Sequence, residues 1–357
     1  MSRTSFRGAL SRRDVLGLAL TGLASVPALP VPVSTTADMT ARELAAAMFM
    51  APLFGTTLLD EEERWLRTLR PTGVILVQNN VGAPDEVRAL VSSVHGTDAE
   101  RPPLVAVDQE GGLVSRIADD PALDAPSLGQ LPVEEIARQA RLRSEALAAY
   151  GFDVNFAPVA DVAFAPDSAM LGRTFGGDPV LVAADVVAYL EGAAGTRVSH
   201  CLKHFPGHGR VATDSHTDLP VLDLDEATWW ESDALPFRAG IDAGVPMVMI
   251  GHLVFPAWDE LPASISPVAV HVLREDLGFT GVIVSDDLGM GALAAWDPLD
   301  IVDLAVAAGI DLLLYVVLPL PLETLVDHLA GRIERGEIAR QRVADSVERT
   351  ARLRPVT

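Results

Sequence analysis

The groups in this sequence that could do chemistry are concentrated between His200 and His216, a stretch reading H-C-L-K-H-F-P-G-H-G-R-V-A-T-D-S-H. It holds four of the eight histidines, the single cysteine, Cys201, and the only lysine of the chain, Lys203. Every other basic residue is arginine. An ammonium is a compact, strongly hydrated point charge and a guanidinium a planar fork, so a chain that keeps one lysine beside a histidine suggests a position that requires the point charge. Other reactive groups lie at short apolar runs elsewhere: Asp108-Gln109-Glu110-Gly111-Gly112, Gly251-His252 and Ser285-Asp286-Asp287 at their ends, and Asp161 inside one.

Two chemistries compete for these residues. His200, His204 and His208 are spaced four apart, which on a helix would present three imidazoles to a metal. Pro206, Gly207 and Gly209 break any helix there, and Val198–Leu202 reads as a strand, so no metal and no other cofactor is expected. Cleavage of an acetal uses more of the residues. It needs a proton delivered to the leaving oxygen and electron density supplied at carbon. The Ser285-Asp286-Asp287 run offers a short carboxylate at a strand end as the nucleophile, and the residues alone do not choose between Asp286 and Asp287. In Asp214-Ser215-His216 the aspartate can hold the imidazole for acid/base work. Lys203, His204, Asp108, Arg116 and Arg173 are suited to binding sugar hydroxyls. Trp229, Trp230, Trp258 and Trp296 could stack on a sugar, although core packing is the expected role for them.

Positioning such groups takes a scaffold whose strands end at one face. Eight short apolar runs recur: Ala47–Leu53, Gly73–Val77, Leu104–Val107, Val154–Val162, Val198–Leu202, Pro246–Ile250, Val282–Ser285 and Asp311–Val317. They do not alternate, as befits strands of a parallel sheet covered on both sides. Helical patterns with readable ends lie between them. One opens at Asp85 and runs towards Gly96, and another spans Glu134 to Tyr150 and closes at Gly151. Asp178-Pro179, Ser266-Pro267 and Asp297-Pro298 each pair a cap with proline at the first helical position. The last two of these helices end at Gly278 and Gly309. Eight strands alternating with helices predict a (β/α)8 TIM-type barrel in a single domain over residues 37–357. A doubly wound open sheet is the alternative. Neither G-x-G-x-x-G after the first strand nor a Walker loop is present, so nucleotide binding has no support. In a barrel, residues just past the C-terminal strand ends share one mouth, and five of the eight runs end in polar residues there.

A formal net charge of -22 argues against nucleic acid and against anionic lipid as partners, and points to an uncharged or compact polar ligand. One cysteine leaves no internal disulfide. Residues 1–36 read as an export leader: Ser11-Arg12-Arg13-Asp14, an apolar run from Val15 to about Leu29, then a Pro-, Ser- and Thr-rich spacer. The paired arginines suggest the twin-arginine route. An exported protein, extracellular or in the cell envelope, is expected, without a membrane anchor once the leader is removed, and as a monomer.

The motifs themselves resemble a known family. K-H-F-P-G-H-G followed by D-S-H and Leu219-Pro220 is similar to the signature of bacterial β-N-acetylhexosaminidases of glycoside hydrolase family 3. So are V-D-Q-E-G-G at Val107–Gly112, N-F-A-P-V-A-D-V at Asn155–Val162, L-G-R-T-F-G at Leu171–Gly176, P-A-S-I-S at Pro262–Ser266 and G-F-T-G-V-I-V-S-D-D-L-G-M at Gly278–Met290. The resemblance runs in order from about residue 40 to 355. It implies a retaining hydrolase with a covalent glycosyl-enzyme intermediate. By the same resemblance Asp286 is the nucleophile, His216 the general acid/base and Asp214 its partner. Asp108, Arg116, Arg173, Lys203 and His204 then bind the N-acetylglucosamine ring. The implied substrates are GlcNAc-containing glycans, peptidoglycan fragments or chitooligosaccharides, cut at the non-reducing end. The expected His216 loop, rich in Gly, Pro and Ser, is mobile.

The chain departs from the family pattern in three places. Leu113 stands where an arginine is common, Gly251 where alanine is, and Gly289 where serine is. The first leaves the outer subsite open. Alternatives are a family 3 β-glucosidase, which the D-S-H loop disfavours, an N-acetylglucosaminide phosphorylase, and a non-catalytic cell-wall sugar-binding protein.

Overall fold

The computed structural model describes residues 36–354. The leader over residues 1–36 therefore lies outside the described residues, save for Thr36 at its end.

Eight parallel strands make the expected barrel: β1 (Phe49–Pro52), β2 (Gly73–Leu76), β3 (Leu104–Val107), β4 (Val154–Asn155), β5 (Ser199–Phe205), β6 (Met247–Ile250), β7 (Val282–Ser285) and β8 (Leu313–Leu314). Neighbours in sequence are neighbours in the sheet, and β8 pairs with β1 through Phe49↔Leu313 and Met50↔Leu314. The bridge Val284↔Leu312 and the Ser285 N–H bond to the Leu312 carbonyl (3.0 Å) bring β7 to β8. Helix α1 (Ala41–Ala46) precedes β1. The crossovers contain α2 (Asp60–Leu69), α3 (Pro84–His95), α4 (Ala125–Leu128), α5 (Val133–Tyr150), α6 (Pro179–Ala193), α7 (Glu226–Glu231), α8 (Ala234–Asp242), α9 (Pro267–His271) and α10 (Pro298–Ala308). After β8 come α11 (Leu322–Glu334) and α12 (Arg340–Ala351). No helix among the described residues is long and apolar enough to cross a membrane.

Two apolar layers hold this arrangement. Met50, Ile75, Ala106, Phe156, Cys201, Met249 and Val284 point into the barrel, with Leu353 from the C-terminal segment packed among them. A larger layer lies between sheet and helices, to which α5 gives Ile136, Ala140 and Leu147. This double burial is why the strands read as unbroken apolar runs. The helix signals in the sequence work as capping physics predicts. Asp178, Ser266 and Asp297 each accept backbone N–H groups of the first turn ahead of a proline. Gly151 and Gly309 close α5 and α10 in the left-handed region.

The sequence reading and the structure differ most at β4 and β5. The run Val154–Val162 gives a regular strand of two residues, after which the chain stays beside β5 only through the Val159↔Lys203 bridge and the Ala160 N–H bond to the Lys203 carbonyl (2.7 Å). Strand β5, expected to stop at Leu202, continues to Phe205, so Lys203 and His204 are strand residues rather than its sequel. Its register against β6 shifts between Leu202 and Phe205. The tryptophans of the α7 region pack beneath this strand. Trp229 is fully buried against Phe205, Trp230, Phe255 and Trp258, and its Nε1 donates to the Pro206 carbonyl at 2.8 Å.

His200 points out of the barrel towards α5, 2.9 Å from the Ser144 hydroxyl. Burial pushes its pKa down from 6.5 to about 4. Between those values the unfolded chain binds a proton that the folded chain refuses, so acidification through that window must destabilise the fold, by roughly 3 kcal/mol at its lower end. His200→Gln is expected to flatten this part of a stability-against-pH curve measured by urea denaturation. An unchanged slope between pH 6.5 and 4 in the variant would refute the assignment.

Candidate active site

The C-terminal ends of β3 to β7 bring their polar residues to one mouth. The loop after β3 begins with Asp108, and the backbone N–H of Gln109 is held by Asn155 of β4 at 2.9 Å. Gln109 in turn fixes the returning chain, its Oε1 accepting the N–H groups of Arg116 (2.7 Å) and Ile117 (2.9 Å). Lys203 reaches across from β5 with its side chain only 2 % exposed. Its Nζ donates to Asp108 Oδ1 at 2.6 Å and lies 2.7 Å from Glu110 Oε1. Arg173, from the loop after β4, grips the same Glu110 with two bonds, Nε to Oε2 at 2.9 Å and Nη2 to Oε1 at 2.7 Å.

In this network each buried charge has opposite charges beside it, as burial requires. Burial would raise the pKa of Glu110, but the Lys203 ammonium and the Arg173 fork hold it down at about 2. Burial opposes the charge on Lys203 and on Arg173 as well. Asp108 and Glu110 reverse the effect for the lysine, and Glu110 above all for the arginine, leaving both raised.

His204, next along β5, donates from Nδ1 to Asp161 Oδ2 at 2.7 Å, and its Nε2 lies 3.4 Å from an Arg173 N–H. Asp161 is fully buried, yet His204 and the backbone N–H of His208 (2.6 Å) keep its pKa low. Asp286 follows β7 immediately. Its backbone N–H bonds the Ile250 carbonyl of β6 at 2.9 Å, which fixes its place at the strand end. Burial disfavours its charge, but His204, His252, the Asp287 N–H (2.8 Å) and Lys203 bring its pKa down to about 2. An anionic carboxylate facing cations and imidazoles is equipped to attack an electrophilic carbon.

The neighbouring Asp287 has another task. Its Oδ1 accepts the N–H groups of Gly289 and Val316, both at 2.9 Å, so it ties the β7 loop to β8, and burial raises its pKa. The structure thus separates two aspartates that the sequence pattern alone leaves equivalent.

Asp214 and His216 form the expected pair on the loop after β5, with His216 Nδ1 and Asp214 Oδ1 2.7 Å apart. The backbone N–H of His216 also donates to Asp214, and these contacts lower the carboxyl pKa. Both side chains are exposed, 69 % for His216 and 60 % for Asp214. The loop is less free than its composition suggests. Val211 accepts the Ala169 N–H (2.9 Å), Ser215 accepts that of Ala292 (3.2 Å) and His216 that of Gly291 (3.3 Å). Gly291 permits the last contact, since a Cβ there would sit 2.7 Å from the His216 carbonyl oxygen.

The structure therefore brings Asp108, Arg173, Lys203 and His204 together, places Asp286 beside them, and pairs Asp214 with His216 on a separate loop. Arg116 stands apart. Its side chain makes no ion pair among the described residues, and its buried Nε has no partner. Glu110, Asp161 and His252 join the site although the sequence reading gave them no role. His252 is held between the Ser264 hydroxyl (2.7 Å) and the Asp287 carbonyl (2.8 Å). Their signal was present, since Glu110 and His252 lie just past apolar runs and Asp161 lies inside one, but which group each one pairs with is a matter of folding.

Comparison with known proteins agrees with this geometry. The model of the glycosyl hydrolase family 3 N-terminal domain matches residues 38–353. A beta-hexosaminidase of Bordetella parapertussis is 37 % identical over 318 residues, covering 86 % of this chain and 87 % of that one. One from Stenotrophomonas maltophilia is 37 % identical over 258 residues, covering 69 % and 76 %. Among solved structures, the family 3 beta-N-acetylglucosaminidase of a Paenibacillus species superposes with a TM-score of 0.84 at 30 % identity, over 88 % of this chain and 62 % of the longer Paenibacillus chain. The beta-N-acetylhexosaminidase of Beutenbergia cavernae gives 0.81 at 29 % identity, over 88 % and 98 %. With its barrel, its mouth of paired charges and a family match spanning almost every described residue, the chain belongs to glycosyl hydrolase family 3.

Proposed function

We propose that this protein is a retaining exo-β-N-acetylglucosaminidase that removes terminal non-reducing GlcNAc from peptidoglycan fragments or chitooligosaccharides. The observation that carries the reading is Asp286, a carboxylate kept ionised against burial at the end of β7, beside the Lys203–Asp108–Glu110–Arg173 network. In the first step Asp286 attacks the anomeric carbon while the glycosidic C–O bond breaks and His216 gives its proton to the departing oxygen. In the second, His216 takes a proton from water, the water oxygen bonds to the anomeric carbon, and the bond to Asp286 breaks. Histidine as a residue type exchanges its proton near neutrality, and Asp214 fixes which ring nitrogen faces outward. Arg116, with its unpartnered Nε, is available to a ligand oxygen. Lys203, His204, Asp108 and Arg173 fix the ring. The leader at Ser11-Arg12-Arg13-Asp14 supports action outside the cytoplasm, in the envelope or beyond.

One observation favours the neutral glycans. Leu113 is 74 % exposed and packs on Gly172, beside the exposed Leu171 and next to Arg173. This gives the mouth an uncharged lip where an arginine would attract an anionic muramyl residue. Cleavage of aryl N-acetylglucosaminide, aryl glucoside, chitobiose and a GlcNAc–MurNAc disaccharide, with and without phosphate, tests both readings. The N-acetylglucosaminide is expected to exceed the glucoside by at least about a hundredfold in kcat/KM, since a site built to bond an amide penalises its absence. Leu113→Arg is expected to raise kcat/KM for the muramyl disaccharide severalfold and leave chitobiose unchanged. Equal glucosidase activity would overturn the first reading, and an indifferent Leu113 variant the second.

A further inference from the structure

The family match and the proposed mechanism leave one buried titratable group at the mouth without a task. His208 is 1 % exposed, and neither of its ring nitrogens has a hydrogen-bond partner among the described residues. Leaving both polar atoms of a buried ring unpaired costs free energy that a structural role would ordinarily avoid. The ring is not placed at random. Its own backbone N–H is anchored on Asp161, the carboxylate that also holds His204, and the two imidazoles meet edge to face with centroids 6.2 Å apart.

Six residues later comes Asp214. Both of its contacts to His216 use Oδ1, and Oδ2 takes part in neither. The chain between the anchored Val211 and the anchored Ser215 is short: only Ala212, Thr213 and Asp214, all exposed. Asp214 also opens the following turn, its carbonyl accepting the N–H groups of Thr217 (3.1 Å) and Asp218 (3.2 Å), so the freedom to turn inward lies in the exposed Ala212 and Thr213 and in the Asp214 side chain. His208 heads this segment from the buried side, near enough to Asp214 that a charge on its ring would favour the ionised carboxylate.

The geometry points to His208 as a positioning residue for the Asp214–His216 dyad: its buried imidazole donates a hydrogen bond to Asp214 Oδ2 when the 212–214 span folds inward over a bound sugar. Asp214 then holds His216 through one oxygen and is itself held through the other, which aims the outer nitrogen of His216 at the glycosidic oxygen. Burial pushes the pKa of His208 down, which favours the neutral ring, and a neutral imidazole keeps one N–H to give. This role rests on the reading of Asp214 and His216 as the acid/base pair.

A double-mutant cycle tests it. His208→Phe keeps the ring volume, His208→Gln keeps a donor, and Asp214→Ala removes the acceptor. The kcat and KM of each are measured on aryl N-acetylglucosaminide and on chitobiose, with folding checked by thermal unfolding. His208→Phe is expected to lower kcat on chitobiose about tenfold to fiftyfold with KM within twofold, and His208→Gln to recover much of that loss. In the Asp214→Ala background His208→Phe should cost less than twofold. Independent, multiplicative losses, or a kcat unchanged in His208→Phe, would overturn the assignment to His208 while leaving the acid/base pair standing. If Asp214→Ala and His216→Ala are themselves without effect, the acid/base reading falls, and the role of His208 with it.

Discussion

Asp286→Ala is expected to abolish turnover, lowering kcat on aryl N-acetylglucosaminide by roughly ten-thousand-fold or more, the scale on which loss of an enzyme nucleophile is felt. The variant should fold. Asp286 is only partly buried, and it accepts a single backbone N–H, that of Asp287. Its pKa is depressed from 3.8 to about 2, so the attractions on its charge outweigh the burial cost and the deletion costs some stability at neutral pH, less than loss of a member of the Lys203 network. Substrate binding should survive, since Lys203, Asp108, Glu110 and Arg173 keep one another in place. Azide, a small external nucleophile, can enter the vacated space and attack from the same face as the lost carboxylate. It is expected to restore part of the turnover and to yield a glycosyl azide of inverted configuration. Normal turnover without azide would remove Asp286 from the mechanism. Asp287→Ala is the informative contrast: it cuts the tie between the β7 loop and β8, so its main cost falls on stability.

Lys203→Met should be the most damaging substitution outside the reacting groups, because it acts on folding and on binding together. The ammonium stands between two carboxylates, one of them almost fully buried, and methionine leaves Glu110 to Arg173 alone and Asp108 without its partner. Breaking one side of a buried charge network costs about 3–5 kcal/mol. Arginine is no substitute, since a planar fork cannot occupy a point-charge site 2.6 Å and 2.7 Å from two separate oxygens. The pH dependence carries a signature. Glu110 has its pKa depressed from 4.5 to about 2, so the stability it contributes is complete above 4.5 and is lost as pH falls towards 2. Wild-type protein should lose stability across that window, and Lys203→Met should lose less, with much of the cost already incurred at neutral pH. Urea denaturation at pH 7 and pH 3, with kcat/KM at neutral pH, measures both effects. A variant as stable as wild type with unchanged KM would contradict the network's role.

Much of this was legible in the sequence, for identifiable reasons. Strands β2, β3, β6 and β7 coincide with apolar runs because burial on both faces leaves no room for polar interruptions. Asp-Pro and Ser-Pro caps mark helix starts because they act within one turn of chain. The ends of β4 and β5 were not legible. Val154–Val162 stays apolar after the strand has ended, since the chain there still packs in the interior, and β5 carries Lys203 and His204 into the sheet because Asp108 and Asp161, from the segments after β3 and β4, meet them. The same non-locality hid Glu110. Its importance comes from Arg173 and Lys203, 63 and 93 residues away, and no local pattern announces such a meeting.

Gly291 carries a lesson for redesign. The turn that begins five residues after Asp286 serves as the resting surface for the carbonyls of Ser215 and His216. Asp286 and the Asp214–His216 pair, proposed as nucleophile and acid/base, thus share one mechanical reference, although they lie on different loops. Lengthening the segment between Asp286 and Gly291 is expected to displace His216 without touching its own loop. Grafting a longer segment after Leu222, beyond the last of these anchors, would leave both untouched. For anyone recutting this barrel to accept bulkier glycans, the short β7 turn is the part to keep fixed and the chain leading into α7 is the part to vary.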